Sequence, residues 1–129
     1  MVQRSLDATA SLQTGLTNAP AFTAPAVPAN NGLASQLHIV ARLIRARADL
    51  GAKRQVFFVS LGGFDNHDFL LNEQNLRFQT INAALDAFWQ WLVSIGMESN
   101  VTLFTASDFG RTLTSNGDGS DHGYGSHHF

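Results

Sequence analysis

Cysteine is absent from the 129-residue chain, which excludes disulfide bonds, cysteine-based zinc fingers and thiol catalysis. Charged residues are also scarce: they make up 14% of the sequence, against about 25% in an average soluble protein. Eight Lys and Arg against ten Asp and Glu give a formal net charge of −2, so we expect no binding to nucleic acid. Apolar runs are all shorter than the roughly 18 residues that a transmembrane helix needs, so we expect no membrane span.

Proline is missing from most of the chain, because all three prolines lie within residues 1–32. We therefore divide the chain into a poorly defined Ala- and Pro-rich segment at residues 1–32 and a domain at residues 33–129. Residues 6–16 are compatible with a short helix, and residues 18–32 are predicted to be an extended loop, since proline fixes φ and lacks a backbone donor. The sequence leaves open whether this loop is a flexible linker or lies ordered on a larger domain.

Two helices are predicted from apolar residues that recur at steps of three and four. The first runs from Leu37 to Ala48 in this pattern, with Ser35 as its expected N-cap and Gly51 after its end. The second is predicted at residues 73–95, where aromatic and aliphatic side chains form a wide apolar face. We interpret these aromatic residues as core.

Two short apolar runs, at residues 56–61 and 101–106, are rich in β-branched and aromatic residues and predict buried strands. The order helix, strand, helix, strand, loop is typical of an α/β protein with a parallel βαβ core, whose crossover is nearly always right-handed. In a parallel pair, the loops that follow both strands emerge at one edge of the sheet, where ligands bind in such folds. We therefore expect the loops at 62–68 and 107–112 to be neighbours.

Three polar clusters fall in these loops and in the glycine-rich segment that follows, at residues 62–68, 107–112 and 118–128. They supply the carboxylate oxygens and imidazole nitrogens that suit zinc, manganese or iron. The competing interpretation is structural, because Asp and Asn are ordinary turn residues, and Asp65 or Asp108 would serve as a helix cap. Three clusters at one sheet edge favour a ligand set. His38 lies apart on a helix, and we interpret it as a structural histidine.

These clusters also carry a resemblance to a known family. Gly-Gly-Phe-Asp-Asn-His at residues 62–67, Ser-Asp-Phe-Gly-Arg-Thr at 107–112 and Asp-His-Gly-Tyr-Gly-Ser-His-His-Phe at 121–129 occur in one order along the chain. Over residues 33–129 the sequence resembles the bacterial domain-of-unknown-function-1501 family. The resemblance implies part of an alkaline-phosphatase-like α/β/α sandwich, related to phosphatases and sulfatases, and a protein exported through a twin-arginine signal.

The resemblance also implies a site that holds a divalent metal, which would be zinc, manganese or calcium. The implied metal ligands are Asp65, His67, Asp121 and His122. Arg111 and Asp108 are the candidate catalytic residues: Arg111 would face the anionic group of a small ester substrate, and Asp108 stands where the family usually has glutamate. Since adjacent histidines in an extended segment point opposite ways, only one of His127 and His128 is a reserve ligand.

Three possibilities remain open. The first is a fragment of a metal-dependent hydrolase acting on phosphate or sulfate esters, and the alternative is a non-catalytic binding or assembly protein that keeps the superfamily fold. The third is a small independent domain whose polar loops are structural, which would unfold cooperatively by itself. The chain stops at Phe129 inside its histidine cluster, so we expect a domain truncated at its C-terminus and inactive by itself. Ser107 and Thr112 are the nucleophile candidates near the motifs, and neither is assigned. The sequence predicts no oligomeric state.

Overall fold

The computed structural model describes residues 2–129 as three helices and one small sheet. The helices are α1 (Val2–Asn18), α2 (Gly32–Arg45) and α3 (Leu70–Ser94), and the strands are β1 (Gly110–Arg111) and β2 (His122–Gly123). The two strands pair antiparallel, with Gly110 opposite Gly123 and Arg111 opposite His122. The architecture is therefore a mixture of helix and a small sheet, which is compatible with an α/β protein.

The core lies between α2 and α3, whose apolar faces pack against each other. The largest side chain buried there is Trp91, which has no solvent-exposed surface. α1 packs against α2. No helix in residues 2–129 combines the length and the apolar character required to cross a bilayer.

Asn31, and not the predicted Ser35, is the N-cap of α2. Its Oδ1 accepts a hydrogen bond from the Ala34 amide at 3.0 Å, and its Nδ2 donates to the Thr80 carbonyl of α3 at 2.8 Å. The side chain therefore caps one helix and attaches it to the other, which explains why a polar residue only 7% exposed is satisfied at the core boundary. Ser35 lies in the first turn, where its hydroxyl donates to the Asn31 carbonyl.

Residues 19–31 form a loop that packs on α2 and α3. Trp91 donates from its indole nitrogen to the Pro25 carbonyl at 2.9 Å and stacks on Phe22, with ring centroids 6.0 Å apart. The His38 ring makes edge contacts with both Phe22 and Trp91. Burial of the ring lowers the pKa of His38, and the positive charge of Arg42 lowers it further. A hydrogen bond with the Phe22 backbone acts in the opposite direction but is the smallest of the three effects. A lowered pKa is expected of a structural histidine.

The predicted parallel strands at 56–61 and 101–106 do not form a sheet within residues 2–129. No backbone hydrogen bond joins the two segments. Ser60 instead pairs with the side-chain amide of Gln36, through bonds of 3.0 and 2.9 Å, and Thr105 donates its amide to the Phe129 carbonyl at 2.9 Å. A segment with a strand-like sequence forms a sheet only where a second strand supplies backbone hydrogen-bonding partners. Here Ser60 bonds a side chain and Thr105 bonds the last residue of the chain, so no ladder forms.

Both segments nevertheless contribute to the core on one side. Val59, Leu61 and Val101 pack against the buried cluster of α2 and α3. On the opposite side, Val56 and Phe58 are each 92% exposed. Buried and exposed side chains therefore alternate along this segment, as in a strand with one covered face. The sequence had instead predicted a buried strand, covered on both faces.

Replacing Trp91 by alanine is expected to destabilise the fold by about 3–5 kcal/mol, since a large cavity opens in the core. The change also removes the hydrogen bond to Pro25 and so loosens residues 19–31. Trp89→Ala is the matched control on the same helix, because Trp89 is 55% exposed, and its cost should stay below about 1 kcal/mol. Urea unfolding of both variants measures the difference, and equal losses would contradict this description of the core.

Candidate metal centre

The loop at residues 62–68 contacts Arg111, which belongs to the loop at 107–112 that the sequence predicted as its neighbour, and it also contacts the segment at 116–122 that follows. Arg111 donates from Nη2 to the Phe64 carbonyl at 2.6 Å, and Asn116 donates from Nδ2 to the His67 carbonyl at 3.1 Å. The Leu70 amide, at the start of α3, donates to the Asp118 carbonyl at 3.2 Å. These polar bonds bring the loops together in place of the parallel sheet that was expected to do so.

Three of the predicted ligands converge at this contact: Asp65, His67 and His122. Asp65 Oδ1 lies 2.7 Å from His122 Nε2 and 3.2 Å from His67 Nε2. One ligand atom from each residue falls within 4.8 Å of the others, and the two imidazole rings are 5.0 Å apart. All three side chains are open to solvent, so a ligand can approach them directly.

Asp121 lies on the far side of His67 from this cluster. Its Oδ1 is 2.9 Å from His67 Nδ1 and also accepts a hydrogen bond from Asn116 Nδ2 at 3.2 Å. The hydrogen bond with Asp121 raises the pKa of His67, and the nearby negative charge of Asp65 adds to this effect. Desolvation acts in the opposite direction, and the net result is a raised pKa. A carboxylate on Nδ1 fixes the ring so that Nε2 faces Asp65, which is how outer carboxylates orient metal-binding histidines.

The arrangement around Asp65 has one electrostatic requirement. If His67 donates its Nδ1 proton to Asp121 and the ring is neutral, Nε2 carries a lone pair and no proton. This lone pair then faces the anionic Oδ1 of Asp65, and the two repel each other. Positive charge between these atoms, from a second proton or a cation, removes that repulsion. The hydrogen bond from His122 and the neighbouring charges already lower the pKa of Asp65. The converging set of one carboxylate and two imidazoles fits a divalent cation by its chemistry.

The two candidate catalytic residues differ in their surroundings. Arg111 is half-buried and donates from Nη1 to the Ser120 carbonyl and from Nη2 to the Phe64 carbonyl, so both ends of its guanidinium hold backbone. Asp108 is exposed, and within residues 2–129 it forms no hydrogen bond or ion pair, including with Arg111. The structure thus places Arg111 beside the cluster and leaves Asp108 at the surface.

Phe109 is a site residue that the sequence reasoning missed. Its ring stacks on His122 with centroids 4.1 Å apart and planes inclined by 19°, and the Arg111 guanidinium carbon lies 5.6 Å from its centroid. The signal was an aromatic residue inside an otherwise polar motif, next to Gly110. Asn116, which bonds both His67 and Asp121, was missed because an Asn in a glycine-rich segment is typical of any turn.

The remaining candidates lie outside the converging ligand atoms. His127 Nδ1 donates to the Ser126 carbonyl, and His128 Nε2 is 2.8 Å from Ser126 Oγ. The hydroxyl of Ser107 donates to the Phe109 carbonyl, and that of Thr112 donates to the Thr114 carbonyl. These histidines and hydroxyls are thus engaged by residues in their own segments.

With this geometry established, comparison with known sequences places the chain in a family. A family profile described as protein of unknown function (DUF1501) matches residues 1–129, so the chain belongs to that family. The match includes residues 1–32, where the quoted motifs do not occur. No curated protein and no solved structure matches the chain.

Gly119→Ala is expected to push the two loops apart, because a Cβ at this position would overlap the His67 carbonyl oxygen. A backbone oxygen cannot move aside as a flexible side chain does, so the loss of stability should be about 1–3 kcal/mol. Gly62→Ala is the control, since a Cβ there meets no atom within 4 Å. Thermal unfolding compares the two, and the metal-centre description is contradicted if Gly119→Ala leaves the melting temperature and the His67 ring resonances unchanged.

Proposed function

We propose that the chain carries the metal centre of a hydrolase that acts on phosphate or sulfate esters. The observation that carries this proposal is the convergence of Asp65 Oδ1, His67 Nε2 and His122 Nε2 from two loops more than fifty residues apart. Polar bonds from Arg111 and Asn116 bring the two loops together. A cation bound between the three ligand atoms would add an attraction that the apolar core does not provide.

Two imidazoles and one carboxylate favour zinc or manganese over calcium, because calcium prefers a shell of oxygen ligands. A set of three protein ligands is typical of catalytic sites, since it leaves coordination positions for water or substrate, whereas structural zinc sites use four. We assign Asp65, His67 and His122 to direct metal binding. The sequence grouped Asp121 with these ligands. We assign it instead to orienting His67 from outside the ligand set, because its carboxylate bonds Nδ1 of that ring.

A divalent ion at such a site polarises an ester oxygen and lowers the pKa of water. The residues around it have separate roles. Asp121 and Asn116 hold the His67 ring at Nδ1 and at its backbone carbonyl. Phe109 covers one face of the His122 ring and keeps water from that side. Both imidazoles therefore keep their Nε2 atoms directed to the same oxygen of Asp65.

The substrate class rests on the resemblance of the family to alkaline phosphatases and sulfatases, and on the preference of a cationic site for an anionic ester. Since Arg111 holds two backbone carbonyls, we do not assign it to the substrate anion. A non-catalytic binding or assembly protein with the same metal centre is the alternative. It differs in one measurable property, which is the absence of ester turnover by the metal-loaded protein.

We also propose that residues 56–61 and 101–106 are parallel strands of a larger α/β sandwich to which these 129 residues contribute one part. Support comes from the exposed side chains of Val56 and Phe58, both 92% exposed, and of Phe104, which is 77% exposed. Neither segment has a ladder partner within residues 2–129. Apolar strand sequences with open backbone groups are stable in water only when further strands or a covering layer pair with them.

Amide hydrogen exchange tests this sheet. In the 129-residue chain, amides of residues 56–59 and 101–104 should exchange rapidly because they have no backbone partner. In the full-length natural protein the same amides should be protected by several orders of magnitude, while amides in the middle of α3 are protected in both forms. Rapid exchange of both segments in the full-length protein would overturn the proposed sheet.

Metal analysis tests the centre itself. We expect about one zinc or manganese ion per chain in the wild type, and much less in His67→Ala and His122→Ala, because each removes one of three ligands. His128→Ala is the matched control, since this histidine bonds only Ser126 and should keep the wild-type metal content. Equal metal content in all four proteins, or none in the wild type, would contradict the proposal.

Turnover of p-nitrophenyl phosphate and p-nitrophenyl sulfate by the metal-loaded full-length protein separates the hydrolase from its alternative. Turnover that is lost in His122→Ala supports the hydrolase. Bound metal with no turnover of either ester supports the binding or assembly protein. The 129-residue chain alone is expected to be inactive, since the two strand segments of the proposed sandwich have no ladder partner in residues 2–129.

A further inference from the structure

We propose that Arg111 is a positioning residue that sets the distance between the two halves of the metal centre. The inference rests on the proposed function, because it concerns the same site. One half of the centre comes from the loop that carries Asp65 and His67, and the other from the segment that carries Asp121 and His122. A single guanidinium is bonded to both.

Each of the two carbonyls that Arg111 holds lies just before a residue of the site. Phe64, whose carbonyl accepts from Nη2 at 2.6 Å, directly precedes the ligand Asp65. Ser120, whose carbonyl accepts from Nη1, directly precedes Asp121, the outer partner of His67, and lies two residues before the ligand His122. A displacement of either carbonyl therefore shifts the site residues that follow it, and the spacing of the two Nη atoms limits the separation of the carbonyls.

The Arg111 backbone is itself fixed to the second half. It pairs with His122 across the small sheet, and it exchanges hydrogen bonds of 2.7 and 2.8 Å with Gly125. The side chain then extends from this anchored position to the first half. Arg111 is thus joined to one loop through its backbone and to both through its guanidinium.

An arginine suits this role for a physical reason. Its guanidinium is planar, keeps its charge at any accessible pH and presents donors in a rigid fork, so that one side chain holds two acceptors in a defined geometry. The ligand side chains are 45–66% exposed, and apolar packing does little to position them. Their relative position must therefore come from polar bonds such as those of Arg111.

Calorimetric titration with Zn²⁺ tests the inference in the wild type, Arg111→Gln, Arg111→Lys and Arg77→Gln. Loss of an outer partner typically weakens metal affinity by about 10–100-fold, and we expect this for Arg111→Gln. Arg111→Lys, which holds at most one carbonyl well, should fall between it and the wild type. Arg77→Gln is the control: Arg77 donates to the neighbouring Gly63 carbonyl at 3.0 Å but is paired with Glu73 and not with residue 120.

The control should bind Zn²⁺ within about threefold of the wild type, and circular dichroism verifies that each variant is folded. If Arg111→Gln does not fold, Arg111→Lys decides, and wild-type affinity in that folded variant would overturn the inference. Wild-type Zn²⁺ affinity in Arg111→Gln, together with weaker binding of inorganic phosphate, would assign Arg111 to the anion and also overturn it. Absence of Zn²⁺ binding by the wild type would instead show that the proposed metal centre itself is wrong, and the inference would fail with it.

Discussion

The packing of α2 against α3 is the contact on which the rest of the chain depends. Trp91 fills the centre of this interface and also holds the loop of residues 19–31 through its bond to Pro25. Asn31 fixes the start of α2 to the side of α3. Because α3 has 25 residues, its length of about 37 Å reaches beyond the core. Its first amide, at Leu70, donates to Asp118 in the segment that carries His122 of the proposed metal centre.

The proposed metal centre is built in a different way from the core. Its ligand side chains are exposed, so burial of apolar surface contributes little to their arrangement. Hydrogen bonds donated by Arg111 and Asn116, and the bond that Asp121 accepts from His67, do this instead, and each joins residues more than forty positions apart. Such bonds depend strongly on geometry, and a site held by them is sensitive to changes in the surrounding loops that leave the helices intact.

The two missing strands show where a local pattern is insufficient. Residues 56–61 have the β-branched and aromatic composition of a strand, and Val59 and Leu61 do point into the core as a strand would. The pattern reports how side chains fit a covered surface, and it does not report whether a second backbone is present to complete a ladder. The same reasoning explains Asn31: a cap depends on which residue can also reach α3, and periodicity alone favoured Ser35.

Several features were determined by the sequence itself. Apolar spacing located α2 and α3 to within a few residues. The loops at 62–68 and 107–112 were expected to be neighbours from a parallel βαβ pattern, and they do meet through Arg111 although that parallel sheet does not form in residues 2–129. Local periodicity and composition carry this information because they record which face of an element is buried. Only the tertiary structure decided that Asp65, His67 and His122 converge while Asp121 binds the outer nitrogen of His67. It also placed Arg111 on backbone carbonyls and Phe109 on His122. These outcomes depend on distances between residues far apart in the chain, and no spacing within a single motif encodes them.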